Sequence, residues 1–363
     1  MGHTSDESEQ ALIESWFNQT AANTHHHIHD DDLEAVREEV WLNLLKTRRQ
    51  TAASVRLWIS ISAAAVILFF VLFGIVRQLS KIEQQPLPLA QNIRPAENTA
   101  TLTLGNGERI TLEAQEKTGV AQRIANNLSL SAGGVIVYNS DHAQKRGKLA
   151  KTQYNTLATP IGGHYRAVLP DGTRVWLNAS SSIRYPVVFN ARDRLVELDG
   201  EAYFEVAKDA EHPFKVRTAL QEISVLGTHF NVNSYRDEPY TTTSLLEGNV
   251  KVSSLRGHQV NELKPGEQLL LSDQDILQST TNVQYAVAWK EGDFRFDDDS
   301  IQSIMRMLSR WYNIEVVFEG SPTKERFSGK ISNTKNISEV LNMLQKTKLV
   351  HFRIEGRRVV VMD

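Results

Sequence analysis

Residues 165–179 read YRAVLPDGTRVWLNA. Apolar and polar residues alternate on both sides of Pro170-Asp171-Gly172, the pattern of two half-buried strands folded back on each other through a tight turn. The stretch 101–112, TLTLGNGERITL, does the same around Asn106-Gly107, a type I′ hairpin signal. The two read as copies of one unit, Leu104-Gly105-Asn106-Gly107 against Leu169-Pro170-Asp171-Gly172, each followed by a β-branched run. Further turns are predicted at Asp199-Gly200 (RLVELDGEAYFEV), Glu247-Gly248 (SLLEGNVKV) and Pro265-Gly266 (LKPGEQLLL). Short strands at such intervals predict an all-β region over 100–280. The irregular spacing leaves sandwich, barrel and solenoid open.

Outward from this region the pattern changes. Residues 289–363 mix periods. FRF, IEVVFE and FSGKI read as strands, and HFRIEGRRVVVM as two more around Glu355-Gly356. Ile301, Ile304, Met305, Leu308 and Trp311 share one helical face behind a cap at Asp299 or Ser300. Asn336 and Glu339 cap a second helix carrying Ile337, Val340, Leu341 and Leu344. Strand–helix–strand twice over predicts a small α+β domain of repeated, split βαβ type.

Toward the N-terminus, Leu57–Val76 holds twenty residues without a charge, bracketed by Arg56 and Arg77. At about 1.5 Å rise per residue such a helix spans roughly 30 Å, the hydrocarbon thickness. Lys46, Arg48, Arg49 and Arg56 before the run outnumber Arg77 and Lys81 after it. That bias predicts a single-pass protein of the inner membrane, N-terminus cytoplasmic and C-terminus periplasmic. Residues 78–99, rich in Gln and Pro, read as a periplasmic linker. Residues 1–50, with four Lys/Arg and ten Asp/Glu, read as a small α-helical cytoplasmic tail. Ile13, Trp16 and Phe17 form one apolar patch; Leu33, Val36, Val40, Trp41 and Leu44 form a stripe on a second helix. Two short helices bury little by themselves, so Trp16, Phe17, Val40, Trp41 and Leu44 are the candidate partner-binding residues.

Composition narrows the chemistry. The 363-residue chain has no cysteine, which excludes a disulfide framework, a thiolate metal site and a cysteine nucleophile. Its net charge of −3 gives no argument for direct nucleic-acid binding. There is no P-loop, HExxH or GxSxG motif. His25, His26, His27 and His29 read as a solvated linker, and Asp297-Asp298-Asp299 as a helix start, not as metal sites. His229 reads as a structural histidine. Glu201 and Glu205 lie on one face of a strand, as a glycosidase pair would, with no further sign of a catalytic cleft. No cofactor is expected, and the chain reads as a non-enzyme.

The segments NTLATPIGGHYRAVLPDGTRVWLNASSSIRYP, RLVELDGEAYFEVAKDAEHPFKV, VLGTHFNVNSY and LLEGNVKV…LKPGEQ resemble the FecR family of membrane-anchored sigma-factor regulators. Residues 289–363 resemble the C-terminal domain of Bacteroidetes-type members, which is similar to the secretin and TonB short N-terminal fold. The resemblance implies a solenoid-like stack for the all-β domain. It implies an anti-sigma factor or sigma regulator, relaying a signal from the periplasmic signalling domain of a TonB-dependent outer-membrane transducer to a cytoplasmic extracytoplasmic-function (ECF) sigma factor. A membrane protease is a further implied partner. On this reading the tail residues contact the sigma factor. The strands of the C-terminal unit that carry Phe327, Ile331, Val359 and Val361 are the candidates for transducer contact by β-augmentation. The alternative reading is a membrane-tethered periplasmic glycan-binding or scaffolding protein.

Overall fold

The computed structural model describes Ser15 and residues 93–113, 122–125, 128–130, 135–138, 153–257 and 259–362. The chain divides into two compact units, Met1–Gln85 and Pro86–Asp363. The expected tail helices with Trp16, Phe17, Val40, Trp41 and Leu44, the histidine cluster and the apolar run Leu57–Val76 lie outside the described residues.

The all-β body contains β1 (Glu97–Thr103), β2 (Arg109–Glu113), β3 (Gln122–Ala125), β4 (Leu128–Leu130), β5 (Ile136–Tyr138), β6 (Tyr154–Ala158), β7 (Gly163–Val168), β8 (Arg174–Leu177) and β9 (Ser182–Pro186). It continues through β10 (Arg194–Glu205), β11 (Phe214–Arg217), β12 (Gln221–Val225), β13 (His229–Ser234), β14 (Thr241–Glu247), β15 (Val250–Ser254), β16 (Val260–Leu263), β17 (Glu267–Leu271) and β18 (Ile276–Thr280). They form two layers. One runs β2-β1-β6-β9-β10-β11-β12-β15-β16. The other runs β3-β4-β5-β7-β8-β10-β13-β14-β17-β18.

Two strands serve both layers. The first half of β10 pairs with β9 and β11; from Gly200 on it pairs with β13 and, over Ala202–Glu205, with β8. β1 pairs with β2 and β6 and, at Glu97 and Asn98, with β7. The circuit β1-β6-β9-β10-β8-β7 therefore closes into a six-stranded barrel. Leu102, Leu157, Val175, Leu177, Ile183 and Phe204 are fully buried in its core, and Phe204 stacks on Phe230 of β13 at 5.1 Å. Burying each such side chain contributes about 1.5–3 kcal/mol.

This corrects the expected architecture. A solenoid stacks repeats that touch only their neighbours. Here β1 reaches forward to β6 and β7, most pairs are antiparallel, and a barrel closes. Among the described residues no helix is long and apolar enough to cross a membrane.

The turns show the same physics at finer grain. At both hairpins of the sequence pair the glycine N–H donates three residues back (Gly107 to Leu104, Gly172 to Leu169). The leucine N–H donates forward, to Glu108 and Thr173 respectively. Only the glycine of each pair has positive φ (89° and 86°), so the loop carries a glycine bulge rather than the type I′ turn, which needs two such residues. Asp171 also accepts from Thr173 and forms a buried ion pair with Arg194 at 2.8 Å. Asp199-Gly200 is not a hairpin turn at all. It is the bend at which β10 changes layers. Gly200 has φ +96°, and a Cβ there would lie 2.5 Å from Ser181 Oγ.

The C-terminal unit contains β19 (Asp293–Ser300), α1 (Ile301–Tyr312), β20 (Glu315–Glu319), β21 (Arg326–Ser332), α2 (Ile337–Gln345), β22 (His351–Glu355) and β23 (Arg358–Met362). Ser300 Oγ caps α1 by accepting from Ser303 N–H at 3.2 Å. Glu339 accepts from Asn336 N–H at the start of α2. The strand–helix–strand order is the one read in the sequence, but the two strands flanking each helix fall in different sheets; the parallel pair is β20 with β23, which have α2 between them in the chain. β19 pairs antiparallel with β21, and the second sheet runs β20-β23-β22. Both helices pack their apolar faces between the two sheets' side chains in one core. Ile93, upstream of the β body, is buried in this second core, and Ile337 N–H donates to its carbonyl.

Gly200→Ala is expected to destabilise the β body by at least about 2 kcal/mol, from left-handed backbone strain and the clash with Ser181. Urea denaturation of wild type and variant, read at constant m-value, checks it.

Candidate functional site

The alternation of β8, β10 and β13 puts apolar residues into the barrel and Trp176, Asn178, Glu201, Tyr203 and Asn231 on the outside of the second layer. That outer face is covered. A short helical segment, Gln284–Glu291, lays Val287 and Trp289 on Trp176, Tyr203 and Leu246. Beyond it β19 and α1 close over the rest, leaving a cavity of about 520 Å³ between the β body and the C-terminal unit.

A charge cluster and a buried acid mark this junction. The apolar stripe of α1 faces its own core, so Arg306 and Arg310, one turn apart, project from the other side. Arg306 donates twice to Glu238 Oε2, at 2.9 and 2.7 Å, and Arg310 donates to Glu238 Oε1 at 2.6 Å and to Asp237 at 2.9 Å. Glu238 is thus held by two guanidinium groups, and the side chains of Glu238 and Arg310 are each only 12% exposed. The Arg310 guanidinium also lies 4.0 Å over the ring of Tyr235. Tyr235 donates to the Ala179 carbonyl, and burial pushes its hydroxyl far above the usual phenol range.

Glu201 is the second element. Its carboxylate accepts from Asn178 Nδ2 at 2.8 Å and Asn231 Nδ2 at 2.9 Å. Burial raises its pKa; the two amide bonds and the Arg310 charge offset this only in part. Glu205, its partner in the glycosidase reading, is tied to Arg174 at 2.5 Å. Both carboxylates are engaged in structural bonds.

The lead-in to the β body threads the same junction. Glu97 N–H donates to the Gly162 carbonyl, and Gly162 N–H to the carbonyl of Arg310. His164 stacks on Trp311 at 5.2 Å, and burial holds its pKa below the ordinary value. Arg357 donates to the last carbonyls of α1, at Tyr312 and Asn313.

The remaining candidates fall elsewhere. Phe327, Ile331, Val359 and Val361 are all buried in the core of the C-terminal unit, so their side chains are not a contact surface. His229 Nδ1 lies 3.3 Å from Glu247 at the surface. Asp299 accepts from Asp297 N–H across a β-bulge. Among the described residues no cluster of His, Asp and Glu has the makings of a metal site. Sequence reasoning missed Tyr235, Asp237, Glu238, Arg306 and Arg310. The only signals were an acidic pair behind a strand and two arginines spaced i, i+4 on a helix, about seventy residues apart.

Removing one partner of a pair this buried costs about 3 kcal/mol or more. Arg310→Ala and Glu238→Ala are each expected to destabilise by that order, and the double variant by much less than their sum. Denaturant titration of the four proteins reads it. The pH dependence carries two opposite signs. Neutral Glu201 favours the folded state below the ordinary glutamate pKa, and that contribution is lost as pH rises through the raised one. His164 contributes above the ordinary histidine pKa and loses it as pH falls toward the lowered one. Unfolding free energies from about pH 4 to pH 8 should lose the first slope in Glu201→Gln and the second in His164→Phe.

With this geometry in hand, comparison with known proteins is specific. The family model described as FecR protein matches residues 155–251, and that described as FecR, C-terminal, matches residues 293–361. Two crystal structures from Parabacteroides distasonis ATCC 8503, each provisionally assigned as an anti-sigma factor, are similar to this chain. The one at 2.50 Å resolution is 34% identical, with a TM-score of 0.55 over 58% of this chain and 99% of the solved chain. The one at 1.65 Å is 34% identical, with a TM-score of 0.54 over 57% of this chain and 97% of the solved chain. No curated protein matches the chain.

Proposed function

The chain belongs to the FecR family of anti-sigma factors, a regulatory and not an enzymatic family, and from that premise we propose that it relays a signal from a TonB-dependent outer-membrane transducer to an ECF sigma factor held by residues 1–50. The observation that carries the reading is the ordered pair of family regions on one compact unit, together with the likeness to an anti-sigma factor along nearly that factor's whole solved length.

The tail would offer Trp16, Phe17, Val40, Trp41 and Leu44 to the sigma factor. The folded unit would stand on the opposite side of the cytoplasmic membrane, a reading supported by the uncharged run Leu57–Val76 and the basic residues before it. The transducer would add a strand to the C-terminal unit, where, among the described residues, β21 pairs only with β19 and β22 only with β23. Since Phe327, Ile331, Val359 and Val361 point inward, recognition there would use the strand backbone and its outward side chains. The route back toward the tail is favoured by one feature of the fold. Ile93 sits in the core of the C-terminal unit, so whatever displaces that unit pulls on the chain leading to the N-terminal side.

Affinity-tagged full-length chain, purified from its host, is expected to bring down a sigma factor. Trp41→Ala is expected to weaken that binding about tenfold or more, in line with a buried aromatic anchor. Equal recovery of sigma factor by a chain lacking residues 1–50, or recovery of none, would contradict the reading.

A further inference from the structure

A strand at the edge of a sheet presents unpaired N–H and C=O groups, and charged side chains along it keep another strand from adding there. β2, β16, β20, β21 and β22 are each paired on one side only among the described residues, and each carries Arg, Lys or Glu. β18, the last strand of the second layer, pairs only with β17 among the described residues and carries no charge. No charged residue occurs from Ile276 to Trp289. Its register with β17 runs without a bulge, and all of β18 after Ile276 is exposed, Leu277 to 52%. None of the usual devices that blunt an edge is therefore present on this strand.

The edge is also held firmly. Gln278 turns its side chain toward the first layer, accepting from Asn261 Nδ2 at 3.3 Å and donating to the Glu262 carbonyl at 3.0 Å. Both of those residues lie on β16, the edge strand of the first layer. Arg256, in the loop before β16, pairs with Asp273 in the turn before β18. The two edges thus form one braced end of the β body. Leu255 and Val260, on the hairpin so tied, are each 48% exposed.

A second copy of the chain fits this end. Facing residues of an antiparallel pair put their side chains on the same face, so a two-fold axis relating two copies of β18 passes through a residue that faces itself. Centred on Gln278, the pairing sets Ile276 against Thr280 of the second copy and Leu277 against its Ser279. All five residues pair and no charge meets a like charge. The two Leu277 side chains lie on the diagonal, within reach of each other, and each stands beside Leu270 of its own β17. A charged partner gains nothing from an edge without charge. A strip of sheet edge about 17 Å long covers less than the roughly 1,200 Å² of a standard interface. The contact belongs with weak, reversible assemblies, with Kd of about 10–100 µM.

We propose that two copies of the folded unit associate through β18, antiparallel about a two-fold axis, joining their second layers into one continuous sheet. The proposal is independent of what the tail or the C-terminal unit binds.

The chain has no cysteine, so single cysteines report without background. Leu277→Cys, Gln278→Cys and Ser279→Cys are placed one at a time in the full-length chain, purified in a mild detergent and oxidised with copper phenanthroline. A residue on the axis has its Cα about 5 Å from its copy, within disulfide reach. At least one of the three is expected to form a disulfide dimer at least tenfold faster than Ser328→Cys, an exposed position on β21. Sedimentation of the wild-type chain in the same detergent is expected to show a monomer–dimer equilibrium. Ser279→Lys, at an exposed position, is expected to weaken it at least tenfold with Tm unchanged. The proposal is overturned if the wild type stays monomeric up to about 200 µM, if none of the three cysteines outpaces Ser328→Cys, or if the dimer is as strong in Ser279→Lys as in the wild type.

Discussion

The passage of β10 from one layer to the other at Gly200 is the constraint on which the rest of the structure depends. A strand can serve two sheets only by turning through a backbone conformation that a side chain would block, and Ser181 stands where that side chain would be. The bend closes the six-stranded barrel. It also sends the second half of β10 along the outer layer, with Phe204 inward against Phe230 and Glu201 outward beside Asn231. Ser181 Oγ then accepts from Glu201 N–H, so the residue that excludes a side chain at the bend also fixes the first outward-facing acid after it.

Docking of the C-terminal unit follows from that outward face. The loop after β13 carries Asp237 and Glu238 to the arginines of α1, and Tyr235 lies under one of them. Such a junction is strong when all partners are present and weak when one is removed, because each remaining charge is left poorly solvated. That asymmetry suits a relay: the docked state is well defined, yet a competing partner for a few groups can shift it. The segment from Ile93 to Glu97 is bonded on one side to α2 and on the other to the loop at Gly162, which is itself bonded to α1. The folded unit and the chain leading out of it are therefore mechanically joined at the same place.

Much of this was legible in residues 165–179 and their copy at 101–112. Period-two alternation announced which residues enter the barrel, and the paired glycines announced the hairpins, although the turn type needed the actual backbone angles. Helix faces and caps in 289–363 were equally plain, because Ser300, Asn336 and the apolar spacing act locally. What stayed hidden was non-local. Asp199-Gly200 carries the same signal as a turn and functions as a bend within one strand. The partner of Glu238 lies about seventy residues away on a helix whose apolar stripe drew attention to its opposite side. Strands that read as one stack could as well close on themselves, and only the pairing of β1 with β6 and β7 decides it. Phe327, Ile331, Val359 and Val361 were identifiable as strand residues, but the side facing the core could not be told from the side facing a partner.

The central claim is that the C-terminal unit is docked on the β body through the Arg310 junction and holds the lead-in segment there. Hydrogen–deuterium exchange of the peptides containing Glu97, Gly162 and Ile337 tests it most directly, since the Gly162 amide is bonded to the last turn of α1, the Ile337 amide to the lead-in carbonyl of Ile93, and the Glu97 amide to the Gly162 carbonyl beside them. The account requires all three to be protected in the wild-type chain and to lose protection together in Arg310→Ala. Exchange at the rate of an exposed loop in the wild type, or unchanged protection in the variant, would contradict it.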